Sequence, residues 1–256
     1  FFTIPHKIAN RCKIRHHLIG TVAMKKTKFR EEHQKKYPYP RYQFRRALLR
    51  GGIVFLAWLL LNYEVEGKEN LPKEGPLLVV SNHFHFLDTI GPIHTTRYPL
   101  EFINDAVMPM APGKLKFLPG LWKTLRIRQG TANLEAMRAA EAVLAQDGIL
   151  AIMPEGHAHK PPLHEALPGA AFLALRLGVP ILPIGTFSED NWDIFGTLRN
   201  KKRKARVISK IGKPFGPLSA ADGSNRPSRE DVERAGHEIM SQIAALLPPK
   251  VRGEFG

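Results

Sequence analysis

At 256 residues the chain can bury one sizeable core, and its 43% hydrophobic content is that of a globular protein rather than a disordered one. The single cysteine, Cys12, excludes an internal disulfide framework and a cysteine-based zinc site, and fits a reducing compartment. The net charge of +15 is unevenly spread: residues 1–50 hold 14 Lys and Arg against 2 Asp and Glu, so the basicity is an N-terminal arm and not a property of the whole fold.

Residues 1–40 mix cations, histidines and scattered apolar residues and close on Tyr37-Pro38-Tyr39-Pro40. They read as a basic arm with some amphipathic helix, drawn to the phosphates of anionic lipid or of nucleic acid. No apolar core follows a basic start near the beginning of the chain, so no signal peptide is expected. A helix is predicted from Arg41 to Asn62, with Arg45, Arg46 and Arg50 at one end and the uncharged run Ile53–Leu61 at the other. That run is too short to span a bilayer, which needs about 20 residues. It suits an interfacial or re-entrant helix, and equally a buried core helix; the basic arm before it favours the membrane reading.

Strands are predicted at Tyr63–Glu66, Leu77–Val80, Glu101–Ile103, Thr124–Arg128, Ile149–Met153, Ile181–Ile184 and Val207–Ile211, the last as an edge strand. Helices are predicted at Leu87–Thr96, at Asn133–Gln146, at Pro168–Leu177 before Gly178, and from a capping-box start at Ser228 to Leu247. Residues 104–120, with Lys114 and Lys116, read as a loop, and 199–206 as a basic hairpin or loop. The alternation predicts an α/β fold: a mixed, mainly parallel sheet flanked by helices. Residues 1–62 form an N-terminal basic and amphipathic membrane-contact segment, and residues 63–256 the α/β domain. In such sheets ligands gather at the carboxyl ends of the strands, where His83, Arg128 and Glu155 fall.

Ser81-Asn82-His83-Phe84-His85-Phe86-Leu87-Asp88 sits where a buried strand turns into a helix. Residues five apart on one helix point about 140° away from each other. His83 and Asp88 therefore meet only if His83 lies in the turn and Asp88 in the first helical turn. There the carboxylate can hold one ring nitrogen and leave the other to take a proton from a hydroxyl.

Asn82-His83-x4-Asp88 followed by Pro154-Glu155-Gly156 resembles the glycerolipid acyltransferase family, which includes the lysophosphatidic acid acyltransferases. Val65-Glu66-Gly67-Lys68-Glu69-Asn70-Leu71-Pro72, Gly169-Ala170-Ala171 and Val179-Pro180-Ile181-Leu182-Pro183-Ile184 extend the resemblance over roughly residues 63–186. It implies transfer of a fatty acyl group from acyl-CoA or acyl carrier protein to a lysophospholipid hydroxyl, 1-acylglycerol 3-phosphate being the ordinary acceptor. It implies His83 as general base oriented by Asp88, and an acceptor site with Asn82, Glu155 and Gly156. Arg126 and Arg128, pointing the same way on a strand, are candidates to grip the acceptor phosphate. The family continues Thr-Arg-Ser after Pro-Glu-Gly. This chain has His157-Ala158-His159-Lys160, which leaves Lys160 to replace the missing charge.

No metal or nucleotide is implied, and the chain has neither a Walker loop nor a Gly-x-Gly-x-x-Gly. His83, His85, Asp88, His157 and His159 leave a metal-dependent hydrolase as the alternative enzyme. A non-catalytic basic protein binding membrane or nucleic acid through residues 1–50 and 199–206 is the other. Few aromatics interleave 199–206, so membrane-surface or acidic carrier contacts are expected there and no nucleic acid. The expected location is peripheral or monotopic on the cytoplasmic face of a membrane.

Overall fold

Two runs without a polar side chain, Leu77–Val80 and Ile149–Ile152, lie side by side in the middle of the sheet, every residue buried. That burial on both faces is why the sequence shows no alternation there. The computed structural model describes residues 34–105, 113, 117–127, 134–224 and 226–256. Most of the basic arm, with Lys114, Lys116 and Arg128, therefore lies outside the described residues.

The chain enters through helix α1 (Gln43–Leu60) and passes without a loop into β1 (Leu61–Glu66). Strand β2 (Leu77–Ser81) leads through a 3-10 turn (Phe86–Thr89) into α2 (Ile90–Thr95), then β3 (Glu101–Asp105), α3 (Leu118–Trp122) and β4 (Leu125–Ile127). Next come α4 (Leu134–Leu144), β5 (Ile149–Ile152), α5 (Pro168–Leu177), β6 (Ile181–Ser188), α6 (Ile194–Lys201), β7 (Ala205–Ile211) and α7 (Arg229–Ala244). The strands form one seven-stranded sheet in the order β1-β7-β6-β2-β5-β3-β4. From β6 to β4 all neighbours are parallel; β7 is antiparallel to β6, and β1 runs parallel to β7. The sheet is mixed and mainly parallel, as predicted.

Alternate side chains of the central strands serve two cores. Leu78, Val80, Leu150, Ile152 and Ile181 face one side and meet Leu173, Ile239 and Met240 of α5 and α7. Leu77, Val79, Ile149, Ala151 and Leu182 face the other and meet Ile93 and Trp122. Each fully buried Leu or Ile contributes about 1.5–3 kcal/mol relative to exposure. Two helix ends follow their sequence signals. Pro168 opens α5 and Gly178 closes it at φ 56, while Ser228 and Asp231 cap α7 reciprocally.

Four predictions are corrected. The strand at Val207–Ile211 is not an edge; it lies between β1 and β6, and the edges are β1 and β4. Residues 199–206 are not a hairpin: Arg199–Lys201 end α6, whose start is capped by Asp193 accepting from the Gly196 N–H, and β7 begins at Ala205. The first helix stops at Leu60, because Leu61 already has the extended backbone of β1 (φ −123°, ψ 151°). Its arginines do not all face a membrane. Arg46 is buried and bonds both oxygens of Glu101, which Arg41 also grips, and Arg50 donates to the carbonyls of Ile93 and Thr96. A guanidinium fork matches a carboxylate in two places, so α1 is riveted to β3 by its own cations.

Candidate active site

Strand β2 ends at Ser81, and the next residue fastens the turn. The Asn82 amide donates to the Thr186 carbonyl and accepts from the Thr186 N–H, each at 2.8 Å, tying β2 to β6. Gly91 permits the close packing of α2 on the same spot, since a Cβ there would sit 2.1 Å from the Thr186 hydroxyl. Next, the His85 ring accepts from the Leu87 N–H at 3.2 Å while Asp88 Oδ2 accepts from the His85 N–H at 2.8 Å. This reciprocal cap starts the 3-10 turn. His83 thus lies in the turn and Asp88 in the first helical turn, as expected, but no hydrogen bond joins their side chains among the described residues.

Both side chains are buried, His83 at 6% exposure and Asp88 at 0%. Each keeps one buried atom without a hydrogen-bond partner among the described residues: His83 Nδ1 and Asp88 Oδ1. Burial disfavours charge on each, pushing His83 down to about 4 and Asp88 up to about 8. Glu155 nearby opposes the drop at His83 without cancelling it.

Glu155 joins the second block to the first. One carboxylate oxygen accepts from the His83 backbone N–H at 2.6 Å; the other faces His159 Nε2 at 2.6 Å and accepts from the His164 N–H at 3.1 Å. The His159 N–H returns a bond to the His83 carbonyl at 3.0 Å. His159 Nδ1 lies 2.8 Å from the Lys160 carbonyl, so both of its ring nitrogens face oxygens that accept. Burial alone would lower its pKa, but the Glu155 hydrogen bond and charge, with the Lys160 carbonyl, outweigh that and raise it. The His164 ring stacks on it at 3.6 Å. The buried cation beside Glu155 is therefore His159, while Lys160 is exposed. His164 is a site residue that no sequence motif marks, and His159, offered by the sequence only as a possible metal ligand, is here the partner of Glu155.

The remaining expectations separate. Gly156 has φ 81°, a backbone that favours glycine, and its N–H donates to the Met153 carbonyl. The N–H groups of His83 and Gly156 both donate within the chain, so neither is left over for an oxyanion. Arg126 is exposed on edge strand β4, three strand spacings from β2, roughly 14 Å across the sheet. Arg128 lies outside the described residues. Among those residues no group of three or more His, Cys, Asp or Glu is arranged to hold a metal ion.

Beside the turn lies an apolar cavity of about 680 Å³. Ile53, Leu56 and Leu60 of α1 line one side, His85 and Leu87 the end nearest the turn, and Phe195 of α6 the rim. The His85 ring stacks with Trp192 in the same wall. The arrangement holds a buried imidazole and a buried carboxyl beside a space that suits a hydrocarbon chain.

The acyltransferase family matches residues 62–186, just under half of the chain. The 1-acyl-sn-glycerol-3-phosphate acyltransferase alpha of Mus musculus is 31% identical over 134 residues, which are 48% of this chain and 45% of the relative. The Homo sapiens protein of the same name is 30% identical over the same length, with the same coverage. The chain thus spans less than half the length of the curated relatives it matches. The crystal structure of the 1-acyl-sn-glycerophosphate (LPA) acyltransferase PlsC from Thermotoga maritima is similar in fold, with a TM-score of 0.52. It is 21% identical, and the likeness covers 84% of this chain and 86% of that one.

Proposed function

We propose that this chain, whose residues 62–186 match the acyltransferase family, moves a fatty acyl group from acyl-CoA or acyl carrier protein to a lysophospholipid hydroxyl, 1-acylglycerol 3-phosphate first. The observation that carries the reading is the complementary pair left without partners in the turn, His83 Nδ1 and Asp88 Oδ1. An N–H against a carboxylate oxygen would satisfy both buried atoms at once, and buried polar atoms are otherwise costly.

In this mechanism neutral His83 takes the proton of the acceptor hydroxyl at Nε2 as that oxygen attacks the thioester carbonyl carbon. The imidazolium is stabilised by the ionised form of Asp88, whose oxygen accepts the Nδ1–H bond and whose own protonation does not change during the step. The tetrahedral intermediate collapses with cleavage of the carbon–sulfur bond, and the departing thiolate receives the proton from His83. Products are the new ester and the free thiol carrier, and no metal or nucleotide enters the balance. The 680 Å³ cavity receives the acyl chain. Asn82, Glu155 and His159 act as positioning residues, because their polar atoms hold the backbone of the site. Arg126, on the edge strand, serves the acceptor phosphate, a role the sequence also offers to Arg128.

The lipid acceptor requires a membrane surface. The basic arm and the outer face of α1, where Phe44, Leu48, Phe55 and Trp58 are exposed, supply the attachment, on the cytoplasmic side that a single cysteine suits. No described helix is long and apolar enough to cross a membrane, and this reading takes the attachment as peripheral or monotopic. The test is transfer of radiolabelled acyl groups from acyl-CoA and from acyl carrier protein to a panel of lysolipids, resolved by thin-layer chromatography. Label in phosphatidic acid supports the assignment. Label in another lysolipid product alone moves the acceptor, and no transfer from either carrier overturns the activity.

A further inference from the structure

Resting on the membrane attachment just proposed, a second apolar and cationic surface stands beside α1. Phe195 and Leu198 are 72% and 49% exposed on α6, one helical turn apart on the same face. On α1, Phe44, Leu48, Phe55, Trp58 and Leu59 are exposed and fall within roughly 100° of arc at 3.6 residues per turn, on the side of the helix turned away from the cavity-lining Ile53 and Leu60. Lys204 joins the two surfaces: its ammonium donates to the Trp58 carbonyl at 2.7 Å and lies 5.5 Å from the Trp58 ring centre. Leu56 and Phe195 each line the cavity and are also exposed, so they form the rim of its mouth between the helices.

The charge around α6 selects the occupant. Residues 189–206 hold six Lys and Arg against three Asp and Glu. Asp190 binds Lys201 and Arg203, and Glu64 and Glu189 bind Arg206. Arg199 and Lys202 have no carboxylate within ion-pair distance among the described residues. Residues 1–33 of this chain carry eight Lys and Arg against two Glu, so they are electrostatically mismatched to this patch. An anionic bilayer matches both parts: hydrocarbon for Phe195 and Leu198, phosphates for Arg199 and Lys202.

We propose that α6 and the basic segment after it form, with the outer face of α1, one membrane footprint that sets the cavity mouth against an anionic bilayer. The side chains of Phe195 and Leu198 enter the headgroup–acyl boundary, and Leu56 and Phe195 border the opening that meets it.

The test uses the full chain with Cys12→Ser and Leu198→Cys, labelled at position 198 with an environment-sensitive fluorophore. It is mixed with vesicles of equal parts phosphatidylcholine and phosphatidylglycerol. The expected result is flotation with the vesicles, a blue shift of the label, and quenching by nitroxides carried on lipid acyl chains. Replacing Phe195 and Leu198 by Ser in the unlabelled chain should weaken vesicle binding about tenfold. Arg199→Glu with Lys202→Glu should weaken it by a similar factor on these vesicles, and little on phosphatidylcholine alone. If the chain floats while the label stays in water, the α6 contact is overturned and attachment through α1 stands. If the unaltered chain does not float, both are overturned. A blue-shifted label without lipid, in a species that sediments as a dimer, would assign the surface to a second copy and overturn the proposal.

Discussion

Replacing Glu155 by Gln should unfold the site from its middle. The carboxylate accepts from the N–H groups of His83 and His164 and faces the cationic His159 ring, all within a buried turn. Gln offers one acceptor oxygen where two are in use, and it turns an NH2 donor against a donor. It also leaves the buried imidazolium without its counter-charge. Breaking one partner of a buried ion pair costs about 3–5 kcal/mol. For a chain of this length that lowers Tm by roughly 6–20 °C, at about 2–4 °C per kcal/mol. The pH dependence identifies the cause. His159 binds its proton more tightly folded than unfolded, so its stabilisation is complete below the ordinary value of 6.5 and fades as pH rises through the higher folded value. The gap between Glu155→Gln and the unaltered chain should therefore be widest below pH 6.5 and narrow above it, read by circular dichroism melts across pH. A double-mutant cycle with His159→Gln should give a coupling of about 1 kcal/mol or more. A Glu155→Gln cost under about 1 kcal/mol, constant with pH, would refute Glu155 as the junction of the two blocks.

Asn82→Ala leaves the buried N–H and C=O of Thr186 without partners and should cost about 2–6 kcal/mol by urea denaturation; unchanged stability with a raised KM would instead make Asn82 a substrate contact. Asp88→Asn keeps an oxygen for the His85 N–H and loses the charge, so transfer should fall about 10- to 100-fold with folding retained, less than the loss at His83. Burial holds His83 low, so the acid limb of kcat/KM should lie well below 6.5, toward about 4; a limb at or above 6.5 would contradict a neutral buried base.

The sheet was legible where one residue type fills a segment. Leu77–Val80 and Ile149–Ile152 carry no polar side chain, and their shortness, with Gly75-Pro76 and Gly148 just before them, favours a strand buried on both faces over a buried helix. Pro168, Gly178 and Ser228 mark helix ends by local backbone chemistry, so those boundaries also showed. Pairing is different: β1 meets β7 across more than 140 residues, and no local pattern in Val207–Ile211 reveals a neighbour on each side. The arginines of α1 misled for a related reason. Arg46 looks like a membrane-facing cation until Glu101, far along the chain, comes to lie against it.

At the site, the spacing of His83 and Asp88 fixed which residue lies in the turn and which in the helix. The use of Glu155 was hidden, because a carboxylate that holds backbone N–H groups looks the same in sequence as one that meets a ligand. His159 had a readable signal. It stands four residues after Glu155, beyond a glycine that turns the chain, so a side chain able to fold back on that carboxylate was present in the sequence.

Transfer of labelled acyl groups from acyl-CoA to 1-acylglycerol 3-phosphate by His83→Ala and His83→Gln, measured beside their thermal unfolding, tests the assignment of His83 most directly. The account predicts cooperative unfolding near that of the unaltered chain and turnover lower by about 10²–10⁴-fold, the contribution of a general base. Turnover above about a tenth of the unaltered rate in either folded variant would contradict it.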